Sequence, residues 1–241
     1  MATHNGALPI VTRGLKCLLD GKDKGSYPGS GTTWTDISGN GNNATLVNTP
    51  THVGDGFDFD AASDQDATIA QTDDLAPKDN GGEITLAGVM SYGTGPDSAN
   101  GGWLCSCAGN DSQFIWHLGR PNGTTKIKMF VGSSNSIVGI TGGTNIGTGT
   151  KVYFHAAFKS DGTMQLYIND SLDASRSSSS GAFTYNDVSA AIILGCQSTA
   201  SNPRAGFHTD PTLYSVALYG KFLTDEERLQ NYNAYKERYG L

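Results

Sequence analysis

Five aspartates fall within twelve residues of this chain: Asp55, Asp58, Asp60, Asp64 and Asp66. Calcium takes six to eight oxygens, many of them from Asp carboxylates and loop carbonyls. Asp58, Asp60 and Asp64 are therefore the candidate ligands, and calcium is the one candidate cofactor. The run lacks EF-hand spacing, and Asp-rich turns also form without metal because the short carboxylate bonds to nearby backbone. Asp58 and Asp60 stand at i, i+2 and share a strand face. Phe57 and Phe59 put the opposite face in the core, so the acids are expected to form a solvated edge.

Glycoside hydrolysis needs two carboxyl groups, about 5 to 5.5 Å apart for retention and further for inversion. Glu83 is the only Glu ahead of the C-terminal segment, and its neighbours Gly82, Ile84 and Thr85 are not acidic. No Gly-x-Ser-x-Gly joins a strand to a helix, so a serine hydrolase is not indicated either. Cys105-x-Cys107 puts two thiols on one strand face without the second pair of a zinc ribbon. Those two, with Cys17 and Cys196, are expected to be small buried thiols. His4, His52, His117, His155 and His208 show no metalloprotease spacing. The expectation is a non-enzymatic protein with no catalytic set.

Glycan recognition uses aromatic faces beside Asn, Asp and Gly groups. Trp34, Trp103, Trp116, Tyr27 and Tyr92 are the aromatic candidates. Trp116 alternates with Phe114 and Leu118 and is expected in the core, and Trp34 is expected to be a packing anchor. Tyr92 and Trp103 flank the Gly/Asn/Asp-rich stretch Ser91–Gly102. Tyr92, Asp97, Asn100 and Trp103 are therefore the candidate glycan or partner contacts.

These residues must be positioned by strands. Gly is 32 of 241 residues and charged residues are 16%, against norms near 7% and 25%. Such a composition disfavours a mostly helical protein. A net charge of −7 argues against nucleic acid, whose backbone requires a Lys/Arg field. No stretch approaches 18 consecutive apolar residues, so no membrane insertion is expected. Met1 to Arg13 lacks the pattern of a secretion signal, and the chain is expected to be made in the cytoplasm. Residues 1–14 read as an N-terminal docking arm, and 15–241 as one domain.

Short apolar runs separated by turn residues recur from residue 15 to 220, as in a sandwich or barrel. The expected strands are 15–19, 44–47, 56–60, 67–70, 84–92, 103–107, 114–118, 126–131, 136–140, 151–159, 164–169, 191–194 and 211–218. One hairpin has a definite register. Phe154, Ala156 and Phe158 alternate with polar or small residues, as do Met164, Leu166 and Ile168. A three-residue loop, Ser160 to Gly162, pairs Phe158 with Met164 and Phe154 with Ile168. A two-residue loop would mix core and solvent faces. At the C-terminus, Thr224-Asp225-Glu226-Glu227 forms a capping box and Gly240 a C-cap, predicting a helix over 224–239. Leu229, Tyr232, Tyr235 and Tyr239 form its expected apolar stripe.

Several segments resemble a known family. Tyr153-Phe-His-Ala-Ala-Phe-Lys-Ser-Asp-Gly-Thr-Met-Gln-Leu-Tyr-Ile-Asn-Asp170 resembles the central hairpin of laminin-G-like domains, which have the concanavalin A-like jelly roll. Gly56-Phe-Asp-Phe-Asp60 is similar to that family's early strand, and Val216-Ala-Leu-Tyr-Gly-Lys-Phe-Leu-Thr-Asp-Glu-Glu227 to its closing strand and helix. Tyr27-Pro-Gly-Ser-Gly-Thr-Thr-Trp-Thr-Asp-Ile-Ser-Gly-Asn-Gly-Asn-Asn-Ala-Thr-Leu46 resembles the opening of such domains in virion structural proteins of tailed bacteriophages. The family usually has Trp where Tyr153 stands, and Asn-Gly or Asp-Gly where this chain has Asn169-Asp170-Ser171. An acid common before the closing Val is replaced by Tyr214 or Ser215, which removes a calcium contribution.

The resemblance implies an all-β concanavalin A-like jelly-roll sandwich of two antiparallel sheets with one C-terminal helix. It implies a virion surface location, and a capsid-exterior decoration protein is the expected function. Other virion proteins, above all the major capsid protein, are the implied partners, with host or environmental glycans and a homo-oligomer as further expectations. A tail or fibre receptor-binding lectin domain is the alternative.

Overall fold

The computed structural model describes residues 9–70, 72–93, 102–108, 114–120, 124–133, 136–178, 182, 191–196 and 210–241. The described chain forms two antiparallel sheets. The first contains β1 (Leu15–Asp20), β4 (Thr51–Val53), β5 (Gly56–Asp58), β7 (Glu83–Tyr92), β12 (Val152–Lys159), β13 (Met164–Ile168), β14 (Ser171–Arg176) and β16 (Pro211–Tyr219). Its order is β14-β13-β12-β7-β16-β5-β4, with β1 also paired to β16. The second contains β2 (Thr33–Trp34), β3 (Ala44–Val47), β6 (Asp66–Ile69), β8 (Gly102–Ala108), β9 (Phe114–Arg120), β10 (Lys128–Ser133), β11 (Ser136–Thr141) and β15 (Ile192–Leu194). Its order is β11-β10-β9-β8-β15-β6-β3-β2. The fold is the expected β-sandwich.

The core between the sheets takes one parity from each strand. Phe57 and Phe59 are fully buried while Asp58 and Asp60 are exposed, as the alternation predicts. Trp34 and Trp116 lie in this core, and all four cysteines are buried free thiols. The hairpin has the predicted register, with Phe158 opposite Met164, Ala156 opposite Leu166 and Phe154 opposite Ile168. Gly162 has φ +98°, which an L side chain adopts only with strain.

The opening segment builds structure. The Asp36 carboxylate accepts from the Leu18 and Ser38 amides, both at 2.8 Å, from the Ser38 hydroxyl at 2.8 Å and from the Asn42 amide at 2.9 Å. The Asn42 side chain donates to the Lys16 carbonyl at 2.7 Å, and Asn40 donates to the Leu15 carbonyl at 2.9 Å. Residues 36–43 thus act as a polar bracket that fastens β1 beside β3.

Helix α1 (Asp225–Tyr239) covers the outer face of the first sheet. Its capping box is formed: Thr224 accepts from the Glu227 amide, and the Glu227 carboxylate accepts from the Thr224 amide. The expected apolar stripe is rotated. Arg228, Asn231, Ala234, Tyr235 and Tyr239 face inward, and Leu229 is exposed. Buried polar partners set this rotation. Asn231 accepts from the Val11 amide at 2.8 Å and donates to the Tyr219 hydroxyl at 3.0 Å, which in turn donates to the Val11 carbonyl.

The same clasp packs the described part of the expected docking arm, residues 9–14, onto the chain's own domain. Ile10 and Val11 are buried in the chain's own second core, and Arg13 pairs with Glu227 at 2.9 Å. Residues 9–14 therefore belong to the domain, and residues 1–8 lie outside the described ones. No described helix is long and apolar enough to cross a membrane.

Candidate functional site

The topology gathers several turns at one end of the sandwich. Phe59 donates to the Pro211 carbonyl at 3.1 Å, and the Ala61 amide donates to the Asp210 carboxylate at 2.8 Å. Gly93 donates to the Asp210 carbonyl at 2.6 Å, and Gly149 to the Tyr92 carbonyl at 2.8 Å. The ends of β5 and β7 and the starts of β12 and β16 therefore meet here. Arg120, opposite Gly102 on the neighbouring strand, lies at this end too, with its guanidinium 4.4 Å from the Tyr92 ring centre.

Two turns at this end hold each other. Asn48 and Thr49 both have φ 53°, a left-handed geometry that is costly for β-branched Thr49. The Gln65 amide donates to both of their carbonyls, at 3.1 and 3.2 Å, and the Asn48 side chain donates to the Asp64 carbonyl at 2.9 Å. Long-range side-chain bonds thus hold the strained backbone in place. The result is a rim of Asn, Thr, Ser, Asp and Gln groups on fixed backbone.

The candidate calcium ligands do not converge. Asp60 caps a short 3₁₀ turn, accepting from the Ala62 amide at 2.9 Å and the Ser63 hydroxyl at 2.6 Å. The Ser63 bond, then that from Ala62, lowers its pKa from the usual carboxylate value. Asp58 accepts from the Thr212 hydroxyl at 3.1 Å, and Asp64 closes the 3₁₀ turn in a left-handed conformation. Among the described residues no three His, Cys, Asp or Glu side chains are grouped to hold a metal ion. Millimolar calcium is accordingly expected to shift the thermal midpoint by less than about 1 °C, since only a ligand of the folded state raises it. Calorimetry with and without chelator checks this.

The four candidate contact residues separate. Tyr92 is fully buried in the core, which corrects its reading as a contact. Its parity explains why: Ile84, Leu86, Met90 and Tyr92 all point inward along β7, and strand alternation carries Tyr92 with them. Trp103 stands in β8 opposite Gly119, and its side chain lies outside the described residues. Asp97 and Asn100 also lie outside them. Asn48, Gln65, Arg120 and Asp210 form the described part of this end instead. The Asn48-Thr49-Pro50 and Asp210-Pro211 steps were the sequence signal, since the residue before proline favours a turn or extended backbone.

Two imidazoles lie on the outer faces of the sheets. His117, on the second sheet, stands in a register row with Thr45, Thr68, Ile193, Ser106 and Phe130. His155 stands on the first sheet beneath α1. Both are buried, and burial pushes each pKa down to about 3, with the Arg228 charge a second cause for His155.

The architecture defines the class: an antiparallel jelly-roll β-sandwich with a helix over one sheet and a polar rim at one end. Solved structures share it. The receptor binding domain of botulinum neurotoxin mosaic serotype C/D matches with a TM-score of 0.68 at 13% identity, over 92% of this chain and 51% of that one. Trypanosoma rangeli sialidase matches with a TM-score of 0.68 at 14% identity, over 99% of this chain and 35% of that one. The chain thus spans about half of the toxin domain and about a third of the sialidase. At such identity the likeness is one of fold. No protein-family model and no curated protein matches the chain.

Proposed function

We propose that this chain is a non-enzymatic structural protein of a tailed-bacteriophage virion, a capsid-exterior decoration protein whose polar loop end meets host or environmental glycans. The observation that supports the non-enzymatic part is the state of the titratable groups among the described residues. The loop-end carboxylates of Asp58, Asp60 and Asp210 are taken up by bonds from their own or neighbouring turns. The buried imidazoles His117 and His155, at about 3, are far from the values a general acid or base needs near neutrality. Among the described residues this leaves a polar rim held by its own turns, which supports recognition over reaction.

The virion context rests on the resemblance of Tyr27–Leu46 to phage structural proteins, and the partner in that context is the major capsid protein. A homo-oligomer suits a protein displayed on a symmetric shell. The second reading, a tail or fibre receptor-binding lectin domain, draws support from the toxin neighbour, itself a receptor binding domain.

Quantitative gel bands of purified virions separate the two readings. A decoration protein is expected in a copy number that is a sizeable fraction of the major capsid protein's, whereas a tail protein is present in few copies. Trp103→Ala is expected to weaken glycan-array binding several-fold, the scale of one lost stacking contact. Unchanged binding would exclude the β7–β8 end from the contact. Release of reducing sugar from polysaccharide by the purified chain would overturn the non-enzymatic assignment.

A further inference from the structure

We infer that His155 is an acid-sensitive latch beneath helix α1, whose protonation releases the helix and the N-terminal strap from the outer face of the first sheet. The inference is independent of the proposed virion role.

The geometry begins with β12, whose Phe154, Ala156 and Phe158 fill the sandwich core and leave Tyr153, His155 and Ala157 facing the helix. His155 is fully buried, and neither ring nitrogen has a hydrogen-bond partner among the described residues. The Tyr167 ring of β13 meets it edge-on at 5.7 Å. The neighbouring position on β7 is Ala87, flanked by Thr85 and Val89, none of which titrates. From α1 the nearest charge is Arg228, itself buried, with its guanidinium 4.1 Å from the Tyr167 ring centre. The carboxylates nearby, Asp170 in the turn after β13 and Asp225 on α1, are turned to Arg228 at 2.9 and 3.9 Å, and Asp225 also accepts from the Tyr167 hydroxyl. On the same face of β12, Tyr153 stacks on Tyr235, and Lys159 at the strand's end pairs with Glu83 of β7 at 3.7 Å.

A proton on this ring would create an unpaired buried cation beside a second cation, so it binds only when the cover lifts. The sign follows from the two states. Above about pH 6.5 the ring is neutral whether the helix is docked or lifted, and docking is unaffected. Below that value the lifted state takes up a proton, while the docked state resists until about 3. The opening constant therefore rises about tenfold per pH unit across this window. The cover opens as one piece, because Pro9 and Val11 are fastened to Gln230 and Asn231, and Arg13 to Glu227. Opening exposes an apolar sheet face that includes Ala87, Val89, Ala217 and Tyr219.

Hydrogen–deuterium exchange of the full chain between pH 7 and pH 4, expressed against intrinsic rates, tests this. The opening constant of amides in α1 and in residues 10–13 is expected to rise about 150-fold from pH 6.5, where the freed ring is already half protonated, to pH 4, as one proton taken up on opening requires. Amides of β12 and β13 are expected to keep their protection, and His155→Phe to flatten the slope for the helix. A helix that loses protection only together with the strands, or not at all, overturns the latch, as does an unchanged slope in His155→Phe. If that variant fails to fold, ring titration of His155 by NMR in the unmodified chain decides. A ring neutral until the helix opens supports the latch, and one that protonates near 6.5 with the helix docked overturns it.

Discussion

Replacing Asp36 by alanine is expected to lower the unfolding free energy by about 4 kcal/mol, read as a shift of the urea midpoint at unchanged slope. The carboxylate is nearly buried and accepts four hydrogen bonds, three of them from the backbone amides of Leu18, Ser38 and Asn42. Bonds to a charged acceptor contribute about 1.5 to 3 kcal/mol each, and some of the loss is recovered by relaxation and water. Alanine orphans donors that the closing of β1 over the bracket shields from solvent. Asp36→Asn keeps the shape but turns an NH₂ toward one pair of donors, so about 2 kcal/mol is expected for it. A loss under about 1 kcal/mol for alanine would mean that the bracket does not hold β1.

The second large effect is at Gly88, in the middle of β7. A Cβ there would fall well inside contact distance of the Ser215 carbonyl oxygen and 3.1 Å from Cζ of Phe154. The obstacle on one side is backbone, where the pairing of β16 with β7 shifts register between Leu213 and Ser215. A rotamer change cannot relieve such a clash. Gly88→Ala is therefore expected to cost about 3 kcal/mol or to leave the chain unfolded, although alanine ordinarily suits a strand better than glycine. Thermal unfolding checks this, and a variant as stable as the parent would show that β7 and β16 separate readily.

Gly88 also shows what is legible in a sequence of this kind. Patterns confined to one element or one hairpin could be read directly. The parity of Phe57 and Phe59, the register of the β12–β13 hairpin and the capping box at Thr224 all follow from local spacing. Short or edge elements could not. β2 and β4 span two and three residues, and β14 reads Ser-Leu-Asp-Ala-Ser-Arg because an edge strand buries little, leaving Leu172 exposed. Long-range polar bonds were also invisible: the clasp between Val11 and Asn231 joins residues 220 positions apart, and it decides which face of α1 turns inward. At the candidate site, the flanking Gly-rich stretch suggested exposure for Tyr92. The alternation from Ile84 onward already carried the opposite answer.

The polar rim divides in the same way. Asp58, Asp60 and Asp64 stood out by composition, yet their carboxyl and backbone groups serve the loop itself. Gln65 and Asn48 did not stand out, and they hold the strained Asn48-Thr49 backbone. A surface assembled by such bonds is ordered by the fold itself, and in the proposed role that order would lower the entropic cost of binding.

Immunogold labelling of intact particles with antibody against this chain tests the proposed role most directly. Dense label over the head is the predicted result, with a density set by the capsid lattice. Particles that carry no label would contradict the virion assignment, and label confined to the tail tip would contradict the decoration role in favour of receptor binding.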